Sequence, residues 1–485
     1  MDVKVRQFGF KDVPLKVKWI NDERNNKYLH YDLPLELDKT ENWFRLNEHN
    51  NNRYDAIIEV DGEPIGLIGL ININFNKREA EYYITIGEQK YLGKGIALDA
   101  SKELLKYAFS YLKLNKIYLT TETENIAMQK LAKKIGMLNE AHLMQHSSRN
   151  NQLHDVYYYS VLQKDFQNKI VYPEQILSGI DYLYNDDNDN SIYIKRDDML
   201  SFSFGGNKAR KAKYFFDEIK AKNFNVVITY GSKVSNHCRV ISNMCSKLGI
   251  KCIIVSPISI EENNFNRTLI KLANAEIIEC DVSDVSTTIE NIIEKEKQIE
   301  NQSVYFIPGG GHGNHGTQAY VDAYHEIVYW SRKNNKKFDY IFVASGTGTT
   351  QAGLIVGNLM HRDSTQIIGI SIAREESVGK KVILDSVDIY FEEHGSESLI
   401  QSSQINFTDK YINRIYGQAT DEIYEKIYSM YIEHGIQFNS VYTGKGFVGM
   451  EHFIKENNIK HNNILFIHTG GTPLFFEDLK KLVAE

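Results

Sequence analysis

From residue 172 onward, short apolar runs recur along the chain, and amphipathic stretches of helical length separate them. A strand made from such a run is apolar on both of its faces. Parallel sheets that helices cover on both sides accommodate strands of this kind. The pattern therefore predicts an α/β domain over residues 172–485, with strands at Val226–Thr229, Cys252–Val255, Val304–Ile307, Tyr340–Ala344, Ile367–Ile372 and Ile464–Ile467.

Residues 1–166 show a different pattern, in which shorter strands alternate with helices. The Asp61-Gly62 pair between the runs Tyr54–Val60 and Ile65–Ile71 predicts a hairpin turn. We therefore expect a separate mixed α/β domain over residues 1–166. Its other predicted elements are strands at Glu79–Gly87, Lys116–Thr121 and Val156–Leu162, a helix at Ile96–Leu112 and a helix that begins after the N-cap Asn125.

The charge balance argues against nucleic acid and membranes as partners. The chain has 56 basic and 63 acidic residues and a formal net charge of −7, which predicts no basic surface for phosphate backbones or anionic lipids. No apolar run approaches the ~20 residues that cross a bilayer, and the first residues lack the apolar stretch of a signal peptide. The four cysteines form no C-x-x-C pair and lack zinc-ligand spacing. We expect a cytoplasmic protein with reduced thiols and no metal site.

Two glycine-rich loops in the second half are candidates for binding an anion. The segment SFGGNKARK, residues 203–211, places Lys208 at the start of a helix, where backbone N–H groups favour an anion. The segment SGTGTTQAG, residues 345–353, follows an apolar strand and opens a second helix, as phosphate-binding loops do. It lacks the lysine of a nucleotide-binding P-loop. A solvated lysine and an ordinary glycine turn remain the alternatives for each loop taken alone.

From about Ile192 to its end, the chain resembles the fold-type-II pyridoxal phosphate (PLP) enzymes, and among them the D-cysteine desulfhydrase and 1-aminocyclopropane-1-carboxylate (ACC) deaminase family. Sequence blocks in a fixed order carry the resemblance: KRDDMLSFSFGGNKARK, TYGSKVSNHCR, SGTGTTQAGL, VYTGKGFVGM and FIHTGGTP. The resemblance implies PLP as cofactor, held in a domain of two α/β subdomains with largely parallel sheets. It also suggests a homodimer.

The same resemblance implies roles for individual residues. Lys208 would bind PLP covalently and shuttle the Cα proton, while Ser235 and Tyr442 would lie beside the substrate. Where this chain has VYTGK, ACC deaminases have a segment similar to VYEGK, whose carboxylate faces the ring nitrogen of PLP. The resemblance therefore implies that a neutral hydroxyl faces that nitrogen here. The implied PLP-binding residues are Lys208, Lys211, Asn236, Gly346, Thr347, Gly348, Thr349, Thr350, Thr443 and Thr469.

A neutral hydroxyl at the ring nitrogen favours loss of a leaving group from Cβ over a long-lived carbanion. We therefore expect β-elimination, or β-replacement, on a small amino acid, with racemisation as a further alternative. The segment GGGHGNHGTQAY departs from the small residues typical of the family and introduces His312, Asn314 and His315. These residues either bind a polar substrate side chain or are loop residues without a role. A metal site would need a third ligand, which is not evident.

The N-terminal half resembles the GNAT N-acetyltransferases, in the branch of ribosomal-protein and amino-sugar acetyltransferases. The segment EQKYLGKGIALDA resembles their acetyl-CoA loop, and WINDERNNKYL, DGEPIGLIGL and REAEYYITIG are further matches. Ala132 stands where many members have a tyrosine general acid, and Glu81 or Glu79 is a candidate base for the amine. The implied acetyl-CoA-binding residues are Leu92, Gly93, Lys94, Gly95, Ile96, Ala97 and Asn125.

Together, the two halves predict a bifunctional enzyme that acts on small-molecule amino acids and amines. One alternative is a working PLP enzyme with a vestigial acetyltransferase domain that only binds or regulates. A second is a protein that senses PLP or amino acids without catalysis, which the presence of Lys208, Ser235 and Tyr442 disfavours.

Overall fold

The computed structural model describes residues 1–29, 31–149, 151–173, 175, 177–258, 264–398, 400–411 and 419–482. The chain divides into two compact units, Met1–Glu174 and Gln175–Glu485. Among the described residues, none of the helices combines the length and apolar character needed to cross a membrane.

A seven-stranded sheet forms the centre of the first unit, in the order β1-β2-β3-β4-β5-β7-β6. Its strands are β1 Val3–Gln7, β2 Tyr54–Val60, β3 Glu63–Asn74, β4 Glu79–Ile86, β5 Lys116–Glu122, β6 Leu138–Arg149 and β7 Gln152–Leu162. Its helices are α1 Val13–Asn21, α2 Glu23–Asn26, α3 Leu37–Asn47, α4 Ile96–Ser110, α5 Ile126–Lys134 and α6 Gln163–Gln167.

The central strands β4 and β5 separate partway along their length. They pair in parallel only over Glu79–Glu81 and Lys116–Tyr118, although both strands continue further. All other neighbours in this sheet are antiparallel. The gap between the diverging strands leaves backbone N–H and C=O groups unpaired inside the unit, where a ligand can use them.

Local sequence signals account for several of these elements. Asp61 and Gly62 both have positive φ, as the predicted two-residue hairpin turn requires. The side chain of Asn125 accepts a hydrogen bond from the backbone N–H of Met128, which confirms it as the N-cap of α5. The long strand β6 was not predicted, because its apolar residues are sparse and most of its side chains are exposed or half-buried.

Two sheets organise the second unit, and both are parallel except for the antiparallel pair β8 and β9 at the edge of the larger one. The smaller has the order β12-β11-β10-β13, and the larger has the order β16-β15-β14-β17-β9-β8. The strands are β8 Ile180–Asn185, β9 Ser191–Lys195, β10 Val226–Tyr230, β11 Lys251–Pro257, β12 Glu276–Cys280, β13 Val304–Ile307, β14 Tyr340–Ser345, β15 Gln366–Ser371, β16 Asn406–Thr408 and β17 Asn463–Ile467.

Helices separate these strands along the chain. They are α7 Asn207–Ala221, α8 Asn236–Leu248, α9 Phe265–Leu272, α10 Val285–Lys297, α11 Asn314–Asn334, α12 Thr349–His361, α13 Glu376–Glu393, α14 Asp421–His434, α15 Thr443–Glu456 and α16 Thr472–Leu482. Each predicted apolar run lies in β10, β11, β13, β14, β15 or β17, and all of these strands pair in parallel. The predicted α/β class is therefore confirmed.

The carboxyl ends of the parallel strands determine where a ligand can bind. The glycine loop Ser345–Gly348 follows β14, and the segment His468–Gly471 follows β17. At Gly206, just before α7, a Cβ atom would lie 2.6 Å from the carbonyl oxygen of Thr469. Glycine at this position lets the start of α7 approach the end of β17, and this approach places Lys208 among the strand ends.

Candidate active sites

A cavity of about 480 Å³ lies at the carboxyl ends of β10 and β14 in the second unit. It collects residues from segments that are far apart in the sequence. The predicted residues that line it are Lys208, Ser235, Asn236, His312, Gly346, Thr347, Gly348, Thr350, Tyr442 and Thr469. Lys211, Asn314, His315, Thr349 and Thr443 are not among the described lining residues.

Lys208 lies in the first turn of α7 with its amine at the cavity wall. Its Nζ donates a hydrogen bond to the carbonyl oxygen of Gly310 across 2.9 Å. Burial lowers the pKa of Lys208 to about 8, because removing an ammonium ion from water disfavours its charged form. A lysine in this state loses its proton more readily than a solvated one, as a nucleophile or a general base must.

A group of buried donors beside Lys208 has no partner. Lys211 Nζ and Ser345 Oγ are both buried and without a hydrogen bond among the described residues. Burial, and then the nearby Lys208, lower the pKa of Lys211 well below the ordinary lysine value. Because a buried polar group without a partner is costly, these atoms suit a ligand that brings oxygen acceptors.

The loop between β14 and α12 supplies further donors for such a ligand. Gly348 has φ +86 and directly precedes α12, so the first N–H groups of the helix are free to point toward the cavity. Thr349 Oγ1 lies 2.9 Å from His312 Nδ1, and Thr350 Oγ1 accepts a hydrogen bond from Asn207. The donors fit the phosphate of PLP, with Lys211 and Ser345 as the buried members of the set.

The start of α8 contributes the opposite wall. Ser235 is its N-cap and accepts a hydrogen bond from the backbone N–H of Cys238. Asn236 Oδ1 accepts a hydrogen bond from Asn266, which fixes the amide plane at the cavity. Both residues therefore have defined positions before any ligand binds.

His237 also lines the cavity, and its role was not predicted from the sequence. Its Nε2 lies 2.8 Å from Thr229 Oγ1, and that hydroxyl donates its proton to the carbonyl oxygen of Ile307. His237 must then donate through Nε2, which leaves Nδ1 as an acceptor. Burial lowers the pKa of His237 well below its ordinary value, so the ring is neutral.

The two candidate hydroxyls for the ring nitrogen lie in different surroundings. Thr469 lines the cavity. Thr443 is fully buried, and its Oγ1 accepts hydrogen bonds from the backbone N–H and the side-chain amide of Asn439, each at 2.9 Å. The geometry therefore favours Thr469 over Thr443 as the hydroxyl that a cofactor ring meets.

Of the two histidines in the polar segment after β13, His312 lines the cavity and His315 does not. His312 faces the cavity, and burial followed by Lys211 and Arg374 lowers its pKa. His315 instead lies with Nε2 2.6 Å from a carboxylate oxygen of Glu218. Arg374, on the loop after β15, also lines the cavity and was not predicted from the sequence. A lone arginine in a loop gives no signal until the fold brings it to the cavity.

Beneath the cavity, a closed network of buried charges holds the first turn of α7. Arg210 Nη1 donates to Glu326 at 2.8 Å, and its Nε and Nη2 donate to Asp197 at 2.9 and 2.8 Å. Lys195 Nζ donates to Glu326 at 2.6 Å. Two cations and two anions therefore balance in the interior. Because Arg210 lies two residues after Lys208, the network fixes the position of the cavity lysine.

The first unit contains a cavity of about 1060 Å³. It opens between the diverging strands, with walls from Tyr82–Ile86 and Leu119–Glu122. Gly93 and Gly95 have φ values of +74 and +83, so the turn before α4 needs glycine at both positions. The predicted acetyl-CoA residues that line this cavity are Leu92, Gly93, Gly95, Ile96, Ala97 and Asn125; Lys94 is not among the described lining residues.

Glu81 and Glu79 lie on the same face of β4 but differ in position. Glu81 lines the cavity, and its carboxylate accepts a hydrogen bond from Asn72 at 2.9 Å. Glu79 does not line it, and lies 3.7 Å from Lys77 instead. Ala132 is completely buried in the core of the unit. Of the two glutamates, only Glu81 is in a position to reach a bound amine.

Comparison with known proteins gives matches to both units. The family model described as pyridoxal-phosphate dependent enzyme matches residues 180–470, and the acetyltransferase (GNAT) domain model matches residues 2–138. The chain is 31% identical over 297 residues to D-cysteine desulfhydrase of Yersinia enterocolitica, which covers 59% of this chain and 88% of that protein.

The chain is also similar to solved structures. A structure described as an ACC deaminase homologue is 32% identical and covers 66% of this chain and 98% of its own, with a TM-score of 0.59. The spermidine N-acetyltransferase of Vibrio cholerae, in complex with CoA and spermine, is 29% identical and covers 34% of this chain and 98% of its own, with a TM-score of 0.33.

Proposed function

The chain belongs to the pyridoxal-phosphate dependent enzymes and carries an N-terminal GNAT domain, and on this premise we propose that one polypeptide has two activities. The second unit eliminates or replaces a Cβ substituent of a small amino acid. The first unit acetylates a primary amine with acetyl-CoA as co-substrate. The observation that carries the proposal is the convergence of Lys208, the unpaired hydroxyl of Ser345 and the β14–α12 glycine loop on one cavity.

PLP, when bound, would supply the electron sink that weakens the Cα–H bond of an amino acid. Lys208 would hold the cofactor and move the Cα proton, a role that its lowered pKa of about 8 supports. Lys211, Ser345 and the first N–H groups of α12 would hold the phosphate. Asn236 would position the ring, because Asn266 already fixes its amide.

The residues around the substrate side of the cavity support elimination. Thr469 would offer a neutral hydroxyl to the ring nitrogen of PLP, and PLP held in this way would be a weaker electron sink that favours departure of a good leaving group. Ser235 and Tyr442 line the cavity beside Lys208 and would orient the substrate. His312 and Arg374 would contact polar groups on its side chain.

In the first unit, the turn at Gly93 and Gly95 and the start of α4 would hold the pyrophosphate of acetyl-CoA. The unpaired edges of β4 and β5 would hold its extended arm. Glu81 would take a proton from the attacking amine. No tyrosine occupies position 132, so the proton for the departing thiolate would come from water or from another residue.

The test of the PLP activity is the visible absorption of the purified full-length protein, before and after Lys208→Ala. We expect the wild type to show a cofactor band that small amino acids perturb, with release of a keto acid, and the variant to lose the band. A wild type that takes up no PLP when supplied with it would refute the assignment. Exchange of the Cα proton for deuterium without keto acid would instead indicate racemisation.

The acetyltransferase activity has a separate test, because a binding-only domain is its rival. Calorimetry with acetyl-CoA and a thiol-release assay with a panel of amines distinguish the two. Binding with turnover supports the proposal, and binding without turnover of any amine supports the rival. We also propose a homodimer, for which light scattering should give about twice the chain mass of 55.9 kDa.

A further inference from the structure

The large cavity of the first unit contains a buried lysine that is far in sequence from the glycine turn at Gly93 and Gly95. Lys16 lies on the buried face of α1 with Val13 and Trp19, at a spacing that normally carries apolar side chains. It is 6% exposed, and it lines the cavity. A helix position of this kind rarely holds a charge unless a partner is present.

Within the described part of the chain, Lys16 forms no hydrogen bond and no ion pair. Its Nζ lies 3.3 Å from the centroid of the Trp43 ring, so its one close electrostatic contact is with an aromatic face. Burial lowers the pKa of Lys16 to about 8, which still leaves the amine charged at neutral pH. Among the described residues, the ammonium group is therefore a cation without a counter-ion in direct contact, at the edge of a large cavity.

The carboxylate of Asp55, which attracts Lys16 electrostatically, is already bound by other groups. Asp55 accepts hydrogen bonds from Arg53 Nε at 2.6 Å and Arg53 Nη2 at 2.8 Å, and it also accepts one from the Tyr83 hydroxyl at 2.5 Å. Tyr83 reaches Asp55 by crossing Gly69, where a Cβ atom would lie 2.6 Å from the Tyr83 hydroxyl oxygen. Asp55 attracts Lys16 electrostatically, but its direct contacts are with Arg53 and Tyr83, so within the described residues no anion touches the Lys16 ammonium group.

We propose that the acetyl acceptor is an amine that also carries a carboxylate or phosphate group, and that Lys16 binds this anion. The inference rests on the proposed acetyl transfer and names its substrate class. An incoming anion would give the buried ammonium group the partner that it lacks. Glu81 lies on the same cavity and on the same face of β4 as Tyr83, so amine and anion would be held along one wall.

Trp43 provides a readout that does not depend on activity, because an anion on Lys16 changes the charge beside its ring. We suggest titrating the fluorescence of the full-length protein with glucosamine 6-phosphate and with β-alanine. Glucosamine and β-alanine amide are their matched counterparts without the anion. The variants are Lys16→Met, Lys16→Arg and Trp43→Phe, with Lys11→Met as control because Lys11 is exposed in the same unit.

We expect at least one anionic probe to give a saturable change in the wild type and in Lys11→Met, and its counterpart to give none. The dissociation constant should rise about 10- to 100-fold in Lys16→Met, as the loss of a charged hydrogen bond implies. Lys16→Arg should retain most of the affinity, and Trp43→Phe should lose the signal. Which probe binds distinguishes a carboxylate from a phosphate. Equal affinity in the wild type and Lys16→Met, or no change with either anionic probe, would overturn the inference.

Acetyl-CoA calorimetry on the same samples separates this inference from the proposed function. If acetyl-CoA binds and an amine is acetylated equally well by Lys16→Met, only the anion site is wrong. If anions bind through Lys16 but acetyl-CoA does not bind, the anion site stands and the acetyltransferase assignment fails. Where both hold, the KM for the anionic acceptor should rise in Lys16→Met by the same factor, and the KM for acetyl-CoA should not change.

Discussion

The side-chain nitrogen of Lys208 and the carbonyl oxygen of Gly310 lie 2.9 Å apart in a hydrogen bond that joins α7 to the loop after β13. Gly310 has φ +70, and a Cβ atom there would lie 2.8 Å from Thr347 Cγ2 and 3.5 Å from Lys208 Nζ. The glycine therefore orients a carbonyl toward the lysine and keeps the space around the amine open.

The reactive form of Lys208 is its free amine, and its pKa is lowered to about 8 by burial. The fraction of free amine therefore grows as pH rises through about 8. We expect the rate at which the cofactor-free protein binds PLP to increase with pH, with its midpoint near pH 8. Stopped-flow absorbance between pH 6 and pH 10 measures it. A midpoint near the ordinary lysine value, about 10.4, would contradict the prediction.

Replacing Gly310 with alanine should weaken cofactor binding by about tenfold or more, since the new methyl group would displace Thr347 or Lys208. Gly395→Ala is a matched control, because Gly395 also has positive φ but has no atom within 4 Å of the added Cβ. Both variants carry the same backbone strain, so only the difference between them reports on the site. If the two variants bind PLP with equal affinity, the space around Gly310 does not matter for cofactor binding, and only its backbone conformation does.

Arg374 lines the cavity of the second unit, beside His312. We expect Arg374→Gln to raise the KM for amino acids with an acidic side chain by about tenfold and to change the KM for alanine-sized substrates little. Arg362→Gln is the control, because Arg362 is exposed. Steady-state kinetics with paired substrates measures the effect, and a uniform loss across substrates would argue against a role in selecting the side chain.

The buried network around Arg210 should dominate the stability of the second unit. Arg210→Met leaves Asp197 and Glu326 short of a partner, which we expect to lower the free energy of unfolding by about 3–5 kcal/mol. Hydrogen exchange of α11 peptides measures it, with exposed Arg362→Met as control. If the free energy of unfolding falls by less than about 1 kcal/mol, which is the range of an exposed ion pair, the remaining charges must rearrange to make up for the missing arginine.

Acid should weaken the same network. Burial by itself would raise the pKa of Glu326, but Arg210 and Lys195 outweigh it, so its pKa lies below the ordinary value. A carboxyl of this kind stabilises the fold above its unfolded pKa, about 4.3, and loses that contribution as pH falls further. The difference in the free energy of unfolding between the wild type and Glu326→Gln should therefore become smaller below about pH 4.

Glu81 and Glu79 offer a matched pair on one strand face. Glu81→Gln should lower the kcat of acetyl transfer by about 100-fold, as the loss of a general base does, and leave acetyl-CoA affinity unchanged. Glu79→Gln should behave as the wild type, because that side chain does not line the cavity. Thiol release and calorimetry test both, and a comparable loss in the two variants would place the base elsewhere.

The sequence predicted what depends on local pattern or on several motifs together. Apolar runs gave the parallel strands, and the glycine and hydroxyl residues near Gly346 marked a loop at a strand end that lines the cavity. The GNAT domain and the fold-type-II PLP domain that the resemblances implied are confirmed by the family matches. The hairpin of β8 and β9 was missed because its tyrosines and acidic residues do not alternate cleanly with apolar ones.

What the sequence did not predict depends on contacts between distant segments. His237 follows two predicted residues, but its tautomer depends on Thr229 and Ile307, and its neutral state depends on burial. The orientation of His315 toward Glu218 depends on how α7 packs against α11. In the sequence, Lys16 looks like a surface lysine of an amphipathic helix. Its burial against Trp43 becomes evident only in the folded structure. Roles of individual site residues remain predictions for the experiments above.

The position of β17 in its sheet has a consequence for how the protein is made. It is the last strand of the described chain, yet it lies between β14 and β9. Until the ribosome releases residues 463–467, both of those neighbours present an unpaired edge, and such edges recruit other chains. Messages cut short before this point should therefore yield aggregating products that chaperones and proteases remove, and these products would also lack the segment at Thr469 and Gly470 that meets Gly206.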